Sequence, residues 1–341
     1  MKEIDGSDGG GQILRSALAL AAVTETPVCV TGIRGNRPEP GLKPQHLTAV
    51  ETLATITGAD LAGAEPGATT LEFDPGAPSA MDVTASIGTA GSIPLLFDAI
   101  LPLATKIEGP LSITATGGTE VKWSPPLVAH ERIKLPLCRE FGFHSTLERH
   151  RTGFYPAGGG CATLSLQPST LSPLEADERG AFVTARCYSI ASRDLQENEV
   201  AKRQAATARQ QLEEGDLSVS AEHHHIAETK STGSAVLIEL EYEHTRAGFD
   251  ALGEPGVPAE TIATRAVEKA RTFTESEAAV DEHLADQLLI FLALGGGAVK
   301  IPTLTAHVET SLDLLETFGF DLTVDTSGSE PVVQASVPDE R

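Results

Sequence analysis

The stretch SDGGGQILRSALALAA, residues 7–22, joins three consecutive glycines to an apolar run. Each glycine costs roughly 0.5–1 kcal/mol more backbone entropy than alanine, so three together indicate an unusual backbone shape or a close approach by another group. Beyond the glycines, apolar residues recur with helical spacing: Ile13, Leu14, Leu18 and Ala21. The stretch therefore predicts a glycine loop that leads into a helix.

A loop of this kind suits a phosphate group. The free backbone N–H groups at a helix N-terminus lie at the positive end of the helix dipole, and Arg15 would add a fork of donors one turn further on. The spacing matches neither GxGxxG nor GxxxxGK[ST], so no standard nucleotide motif applies. The alternative interpretation is a tight turn packed against a neighbouring element.

Length and composition limit the class of protein. With 341 residues, 40% of them hydrophobic, the chain can bury one large core or a few smaller ones. It has no run of 18 apolar residues and no signal-peptide pattern, which predicts a cytoplasmic protein that does not bind a membrane. The cysteines lack metal-ligand spacing and are predicted to be four buried free thiols: Cys29, Cys138, Cys161 and Cys187.

The net charge of −23 comes from 48 acidic and 25 basic residues, and by itself it argues against a nucleic-acid partner. An acidic surface of this kind suits a salt-rich, halophilic cytoplasm. Local groups of basic residues are therefore informative, and two occur: Arg15, Arg34, Arg37 and Lys43 early in the chain, and Arg149 with Arg151 near its middle.

Three segments share one order of elements and end in similar strands after a glycine: ITGADL (56–61), FGFHSTL (141–147) and FGFDLTV (318–324). The pattern predicts an α/β fold of three repeated units, each a small β-sheet backed by two helices. The gap before the third unit predicts an inserted smaller α/β domain. We expect residues 1–184 to hold the first two repeats, 185–272 the inserted domain and 273–341 the third repeat.

The loop IRGNRPEPGLKPQHL, residues 33–47, combines two arginines and a lysine with proline and glycine turns. A rigid cationic loop suits phosphate binding, and the alternative is a solvated loop. If Arg34 and Arg37 bind phosphate rather than shape the fold, replacing either by alanine should leave thermal unfolding nearly unchanged.

Four further features have two interpretations each. His307, after the third strand, lies near a predicted helix N-cap and is either structural or catalytic. His223, His224 and His225 are predicted to be exposed loop residues, with zinc binding as the alternative. His46 opens a helix, where packing and phosphate contact are both open. Trp123 is interpreted as a core side chain by default, with stacking on a base as the alternative.

Several of these stretches together resemble the RNA 3′-terminal phosphate cyclase family, and the resemblance covers nearly the whole chain. The segments that carry it are IDGSDGGGQILRSAL (4–18), IRGNRPEPGLKPQHLTAV (33–50), IGTAGSI (87–93), GGTEVKWSPP (117–126), HRTGFYPAGGG (150–160) and HLADQLLIFLAL (283–294), followed by His307. The resemblance implies three α/β repeats with an inserted domain, as the repeat pattern also predicts.

The resemblance also implies a reaction. In that family a histidine, matched here by His307, attacks the α-phosphate of ATP and becomes adenylylated; an imidazole is a nucleophile near neutral pH. AMP then passes to an RNA 3′-phosphate, and the neighbouring 2′-OH displaces it to form a 2′,3′-cyclic phosphate. A divalent ion, Mg²⁺ or Mn²⁺, and arginines would neutralise the phosphate oxygens.

Further site residues are implied position by position. Asp8 matches the metal-binding position, and basic residues match at Arg15, Arg34 and Arg37. The matched nucleotide-site positions are Asp98, His283, Asp286 and Gln287. The chain departs from the family pattern at four places: Asp8 stands for a glutamate, Asp98 for a glutamine, Glu39 for a lysine and His283 for a tyrosine.

The alternative function is a non-catalytic relative that binds RNA or ribosome precursors. That branch of the family lacks the histidine, so the presence of His307 favours the enzyme.

Overall fold

The computed structural model describes residues 1–337. In its first sheet, the helix that follows the glycine stretch connects the first two strands. The elements in chain order are β1 (Lys2–Asp5), α1 (Gly11–Thr24), β2 (Val28–Thr31), α2 (Pro44–Thr57), β3 (Asp60–Ala62) and β4 (Leu71–Asp74). The strand order is β1-β2-β4-β3, with β1 parallel to β2 and the other pairs antiparallel. The loop between β1 and α1 is the glycine stretch.

The second sheet has the same pairing pattern. Its elements are β5 (Asp82–Ser86), α3 (Ile93–Ile100), a 3₁₀ turn (Leu101–Thr105), β6 (Leu111–Gly117), α4 (Leu127–Ala129), a π-helical turn (His130–Lys134), α5 (Leu135–Glu140), β7 (Ser145–Arg151) and β8 (Gly160–Leu166). The order is β5-β6-β8-β7, again with only the first pair parallel.

After the short strand β9 (Leu174–Ala176), the chain enters a segment with its own sheet and its own hydrophobic core. Its elements are β10 (Phe182–Ser192), a 3₁₀ turn (Arg193–Leu195), α6 (Val200–Glu214), β11 (Val219–Ala227), β12 (Ser234–Tyr242), β13 (Arg246–Leu252) and α7 (Ala259–Thr274). The strand order is β11-β10-β12-β13, which differs from the other sheets.

The last sheet combines one strand that precedes this segment with three strands that follow it. It contains β9 together with α8 (Glu282–Gly295), β14 (Gly297–Lys300), α9 (Ala306–Thr317), β15 (Leu322–Asp325) and β16 (Val332–Ala335). Its order is β9-β14-β16-β15, with β9 parallel to β14. The sequence patterns did not indicate that β9, which precedes the segment with the separate core, pairs with a strand that follows that segment.

One hydrophobic core runs through the first, second and last sheets. The α1 helix lies at its centre, in contact with α2, α3 and α9, because its alanines and leucines are buried nearly all round. This packing brings the N-termini of α1 and α9 together. The α/β class predicted from the sequence is confirmed, and no helix within residues 1–337 is long and apolar enough to cross a membrane.

Three local predictions need correction. Cys29 is half-buried, although all four cysteines are free and the other three are buried. The residues His223–His225 are exposed but form part of β11 rather than a loop, because that edge strand pairs with β10 through all three. Trp123 does not pack in the core, since its side chain is 95% exposed.

Candidate active site

Two of the three consecutive glycines adopt backbone angles that favour glycine. Gly9 and Gly10 have φ of 66° and 62°, in the left-handed region that costs other residues energy. Gly10 is the N-cap of α1, so no side chain caps the helix, and the first turn carries no acidic residue. The start of α1 therefore presents backbone donors that an anion can use.

At Gly11 the backbone is closely approached by other side chains, which is the second explanation that the sequence suggested for the glycines. A Cβ added at Gly11 would overlap Nε2 of His46 and lie 2.9 Å from Nη1 of Arg15, while one at Gly10 would lie 3.1 Å from Nη2 of Arg37. The absence of side chains thus lets two guanidinium groups and one imidazole gather around the helix start.

His46 is held as a neutral ring. Its Nδ1 accepts a hydrogen bond from the backbone N–H of Lys43 at 3.2 Å, which places the proton on Nε2 beside Gly11. Burial, followed by the positive charges of Arg15, Arg34 and Lys43, lowers the pKa of His46 to about 3. His46 is therefore a neutral ring whose Nε2–H lies beside Gly11.

Arg34 and Arg37 differ in their surroundings. Nη1 of Arg34 donates to the carbonyls of Glu39 at 2.8 Å and Gly41 at 3.0 Å, so this side chain closes its own loop. Burial, and then the charge of Arg37, lowers the pKa of Arg34. The guanidinium of Arg37 is exposed, makes no hydrogen bond within residues 1–337, and lines a cleft. Lys43 forms an ion pair with Glu39.

His307 lies at the start of α9, across this cleft from the glycine loop. Thr305 caps the helix by accepting a hydrogen bond from the N–H of Val308 at 3.2 Å, and the side chain of His307 is exposed. The cleft has a volume of about 440 Å³ and is lined by Asp8, Gly9, Arg37, Ala306, His307, Glu309, Thr310 and Asp313. The imidazole of His307 and the guanidinium of Arg37 are thus both exposed and line one cleft.

Gln12 ties the helices of the cleft together. Its Nε2 donates to Oδ2 of Asp286 at 2.8 Å and to Oγ of Ser311 at 3.1 Å, which joins α1, α8 and α9. Burial raises the pKa of Asp286 to about 6, although positive charge from His307, Lys134 and His283 acts in the opposite direction. Asp286 is therefore a buried carboxyl group that holds its proton to a higher pH than an exposed aspartate does.

Asp98 lies in a separate charged cluster. Its Oδ1 is 2.7 Å from Nε2 of His130 and 2.6 Å from Nζ of Lys134, and both partners come from the π-helical turn. Burial alone would raise the pKa of Asp98, but the charges and hydrogen bonds of His130 and Lys134 lower it below its usual range. Both partners contact this carboxylate, which occupies a position where the family pattern has a glutamine.

The remaining predicted nucleotide residues, His283 and Gln287, line a cavity of about 20 Å³ that also includes His130, Lys134 and Asp281. Asp281 holds the start of α8, because its Oδ1 caps the helix and its Oδ2 accepts a hydrogen bond from the backbone N–H of Gly248 in β13 at 2.9 Å. Of the predicted site residues, Asp8, Arg37 and His307 therefore line the cleft. His283 and Gln287 line the small cavity, and Asp98 contacts two residues of its wall. Arg15 lies against Gly11, Arg34 is bound to its own loop, and Asp286 is bonded to Gln12.

Sequence reasoning missed Gln12, His130, Lys134 and Ser311. The i, i+4 spacing of His130 and Lys134 places both on one helix face, so that pair carried a usable signal. The partners of Gln12 lie 274 and 299 residues away, and no local pattern indicates them.

The residues that the structure describes contain no group of three or more His, Cys, Asp or Glu side chains placed to hold a metal ion. Asp8 is exposed at the cleft, and its Oδ1 accepts from Nδ2 of Asn36 at 2.6 Å. Mg²⁺ is often held by one or two carboxylates together with substrate phosphates, so a single carboxylate at this position is compatible with it.

Comparison with known proteins gives a consistent result. A family model described as RNA 3′-terminal phosphate cyclase matches residues 7–324. A protein of Halobacterium salinarum named RNA 3′-terminal phosphate cyclase is 42% identical over 98% of this chain and 99% of its own length. Proteins of the same name from Pseudomonas fluorescens and Pyrococcus furiosus are 39% and 35% identical, over 93% and 92% of this chain and 92% of their own lengths.

Among solved structures, the enolpyruvyl transferase NikO from Streptomyces tendae matches 98% of this chain and 48% of its own, with a TM-score of 0.35 and 14% identity. That likeness is too weak to support any inference.

Proposed function

Since this chain belongs to the RNA 3′-terminal phosphate cyclase family, we propose that it uses ATP to convert an RNA 3′-phosphate into a 2′,3′-cyclic phosphate through a covalent His307–AMP intermediate. The observation that carries the proposal is the position of His307. It is an exposed imidazole that faces Arg37 and the glycine loop across one open cleft.

The reaction has three steps. A ring nitrogen of His307 attacks the α-phosphorus of ATP, and the bond to pyrophosphate breaks. An oxygen of the RNA 3′-phosphate then attacks the same phosphorus, and the imidazole leaves. Finally the 2′-oxygen attacks the phosphorus of the 3′-phosphate, loses its proton and expels AMP. Each step places negative charge on phosphate oxygens, and preorganised donors stabilise that charge.

The residues around α1 can provide those donors. We propose that Arg15 and Arg37, with the backbone N–H groups of the glycine loop, bind phosphate, and that Arg34 acts in the same site while it shapes the loop. Neutral His46 adds an N–H donor beside Gly11. These groups converge on the start of α1, which supports a phosphate site there.

For the nucleotide we propose Asp98, His283, Asp286 and Gln287. His283, Asp286 and Gln287 lie on one helix, α8, and the hydrogen bond from Gln12 to Asp286 joins that helix to the start of α1, which supports a nucleotide site beside the phosphate site. Asp8 would hold Mg²⁺ or Mn²⁺ at the cleft, where the ion would neutralise charge on the phosphate oxygens.

The repeat organisation is also a proposal. The shared strand order of the first, second and last sheets supports three copies of one β-α-β-α-β-β unit. The separate core of the segment between β9 and α8 supports an inserted domain near the predicted residues 185–272.

The proposed function is tested with two RNAs that differ only at the end, one with a 3′-phosphate and one with a 3′-OH. With ATP, the first should gain a cyclic end that resists phosphatase, and the second should remain unchanged. His307→Ala should abolish the conversion. Binding of both RNAs without conversion of either, at any Mg²⁺ or Mn²⁺ concentration, would favour a non-catalytic RNA-binding relative.

A further inference from the structure

We infer that an exposed surface formed by Lys122, Trp123, Arg151, Tyr155 and Lys230, here called the stacking surface, binds unpaired bases of the RNA on the 5′ side of its 3′-phosphate. The inference rests on the proposed function, because it assigns the position of the RNA strand relative to the cleft.

The two aromatic side chains carry the first part of the inference. Trp123 is 95% exposed and Tyr155 is 73% exposed, and they are the only Phe, Trp or Tyr side chains among the large exposed hydrophobic residues of the described chain. Trp123 is also the only tryptophan. Neither ring packs against the core, so their contribution to folding cannot explain their presence. Exposed rings of this kind are suited to stacking on nucleic-acid bases.

The loops that bear the rings are fixed side by side. The backbone N–H of Thr119 donates to the carbonyl of Gly153 at 2.9 Å, and the N–H of Gly153 donates to Oγ1 of Thr119 at 2.9 Å. Glu120 and Phe154 form a bridge between the two loops. The loops therefore present Trp123 and Tyr155 from one rigid base.

Trp123 itself is held in a costly conformation. Its φ of 61° lies in the left-handed region, which is rare for a large side chain. Strain of this kind persists where the surroundings impose it, and it often accompanies function. In this loop it accompanies a ring directed into solvent rather than into the core.

Positive charge accompanies the rings. Nε of Arg151 donates to the carbonyl of Gly159 at 3.3 Å, and the side chain of Lys230 crosses the same glycine, where an added Cβ would lie 2.7 Å from its Cδ. Lys122 is exposed beside Trp123. The carboxylate of Glu120 in this loop is buried and paired with Arg149 at 2.6 Å. On a chain with a net charge of −23, this local cationic surface is complementary to a phosphate backbone.

A chain of contacts connects the stacking surface to the glycine loop. Ser124, next to Trp123, has its Oγ 2.5 Å from Oγ of Ser92. The backbone N–H of Ser92 donates to Oε1 of Gln45 at 2.9 Å, and Gln45 precedes His46, whose ring lies against Gly11. Direct contacts therefore join the surface to the phosphate site, which places both on one face of connected elements where a single RNA strand can reach them.

The single tryptophan makes the test direct. Wild-type protein is titrated with a single-stranded oligoribonucleotide of about ten nucleotides that ends in a 3′-phosphate, and tryptophan emission is recorded with the anisotropy of a dye on the RNA 5′ end. Emission should be quenched in parallel with binding. A blunt duplex RNA of the same sequence, whose bases are paired, should quench much less.

Variants give the second measurement. Trp123→Ala and Tyr155→Ala should each raise the Kd for the single strand about tenfold, whereas Trp123→Phe should restore most of the affinity. Lys230→Ala should weaken binding and reduce its salt dependence. The matched control is Lys106→Ala, which removes an exposed lysine at the end of the 3₁₀ turn after α3. It should change neither the Kd nor its salt dependence.

The outcomes separate the two proposals. RNA that binds and is cyclised without quenching, or with unchanged Kd in both aromatic variants, overturns the stacking surface and leaves the proposed function intact. Quenching without cyclisation supports the surface and contradicts the proposed function. Absence of both binding and cyclisation overturns both.

Discussion

At the scale of single residues, the candidate site depends on three consecutive residues that have no side chain. The glycines at 9 and 10 supply positive φ angles, and Gly11 supplies the space that His46 and Arg15 fill. In the proposed function, a phosphate binds the N–H groups at the start of α1, next to two arginines and a neutral histidine. Each of the three glycines therefore has its own reason: two adopt positive φ angles, and the third leaves room for neighbouring side chains.

Asp8 gives a prediction about metal dependence. Asp8→Ala should slow adenylylation and raise the Mg²⁺ or Mn²⁺ concentration needed for half-maximal rate, because the cleft loses a carboxylate that can hold the ion. The measurement is a metal titration of the ATP-only reaction. Asp313→Ala, at another position lining the cleft, is the comparison. An identical titration curve for Asp8→Ala and the wild type would remove Asp8 from the metal site.

Asp286 gives a prediction about pH. Its pKa is raised by burial to about 6 in the folded protein, against about 3.9 for an unperturbed aspartate. The folded state therefore holds this proton more tightly than the unfolded state does, and the contribution of Asp286 to the free energy of unfolding should fall as pH rises from about 4 to about 6. Asp286→Asn lacks this titration and still offers an oxygen to Gln12.

The free energy of unfolding of Asp286→Asn should therefore exceed that of the wild type at pH 7.5 by about 1–3 kcal/mol, and the difference should shrink near pH 4.5. Denaturant unfolding at the two pH values measures it. A difference that does not change with pH would show that Asp286 ionises normally.

At the scale of elements, the loop from β2 to α2 contains two arginines that differ in their contacts with the loop. Arg34 donates to two carbonyls of its own loop, whereas Arg37 makes no such contact among the described residues. Arg34→Ala should lower the free energy of unfolding by about 1–2 kcal/mol, and Arg37→Ala should change it by less than about 0.5 kcal/mol. Both variants should impair cyclisation.

Chemical denaturation and cyclisation assays of the two variants check this difference. Normal cyclisation by both would favour the solvated-loop interpretation of the segment. Equal stability of both would mean that the two carbonyl contacts of Arg34 contribute nothing to the loop.

The elements also show what local sequence can predict. The glycine loop, the helix after it and the position of His307 near a helix N-cap follow from short-range patterns, and the structure has them. The partners of Asp98 and Asp286 do not, because they come from elements that only tertiary packing brings together. Trp123 was misjudged because large aromatic rings are usually buried, and nothing in GGTEVKWSPP indicates the left-handed backbone that turns it outward.

At the scale of the whole molecule, the net charge of −23 gives a prediction about salt. Self-repulsion destabilises a strongly charged compact state when screening is weak. The melting temperature should rise as KCl increases from about 0.1 M, where the Debye length is about 10 Å, to the molar range. Sucrose at matched osmolality is the control for solvent exclusion. A melting temperature that stays flat or falls in KCl would contradict this account of the acidic surface.

The central claim is that His307, brought by the last sheet to the glycine loop of the first, becomes adenylylated. The most direct measurement incubates the protein with ATP labelled in the α-phosphate, without RNA. The wild type should retain label through a bond that is labile in acid and stable in alkali, and RNA with a 3′-phosphate should discharge it. His307→Asn, which keeps a polar group at the start of α9, should remain folded and unlabelled. Acid-labile AMP on His307→Asn, or an unlabelled wild type with every metal tried, would contradict the claim.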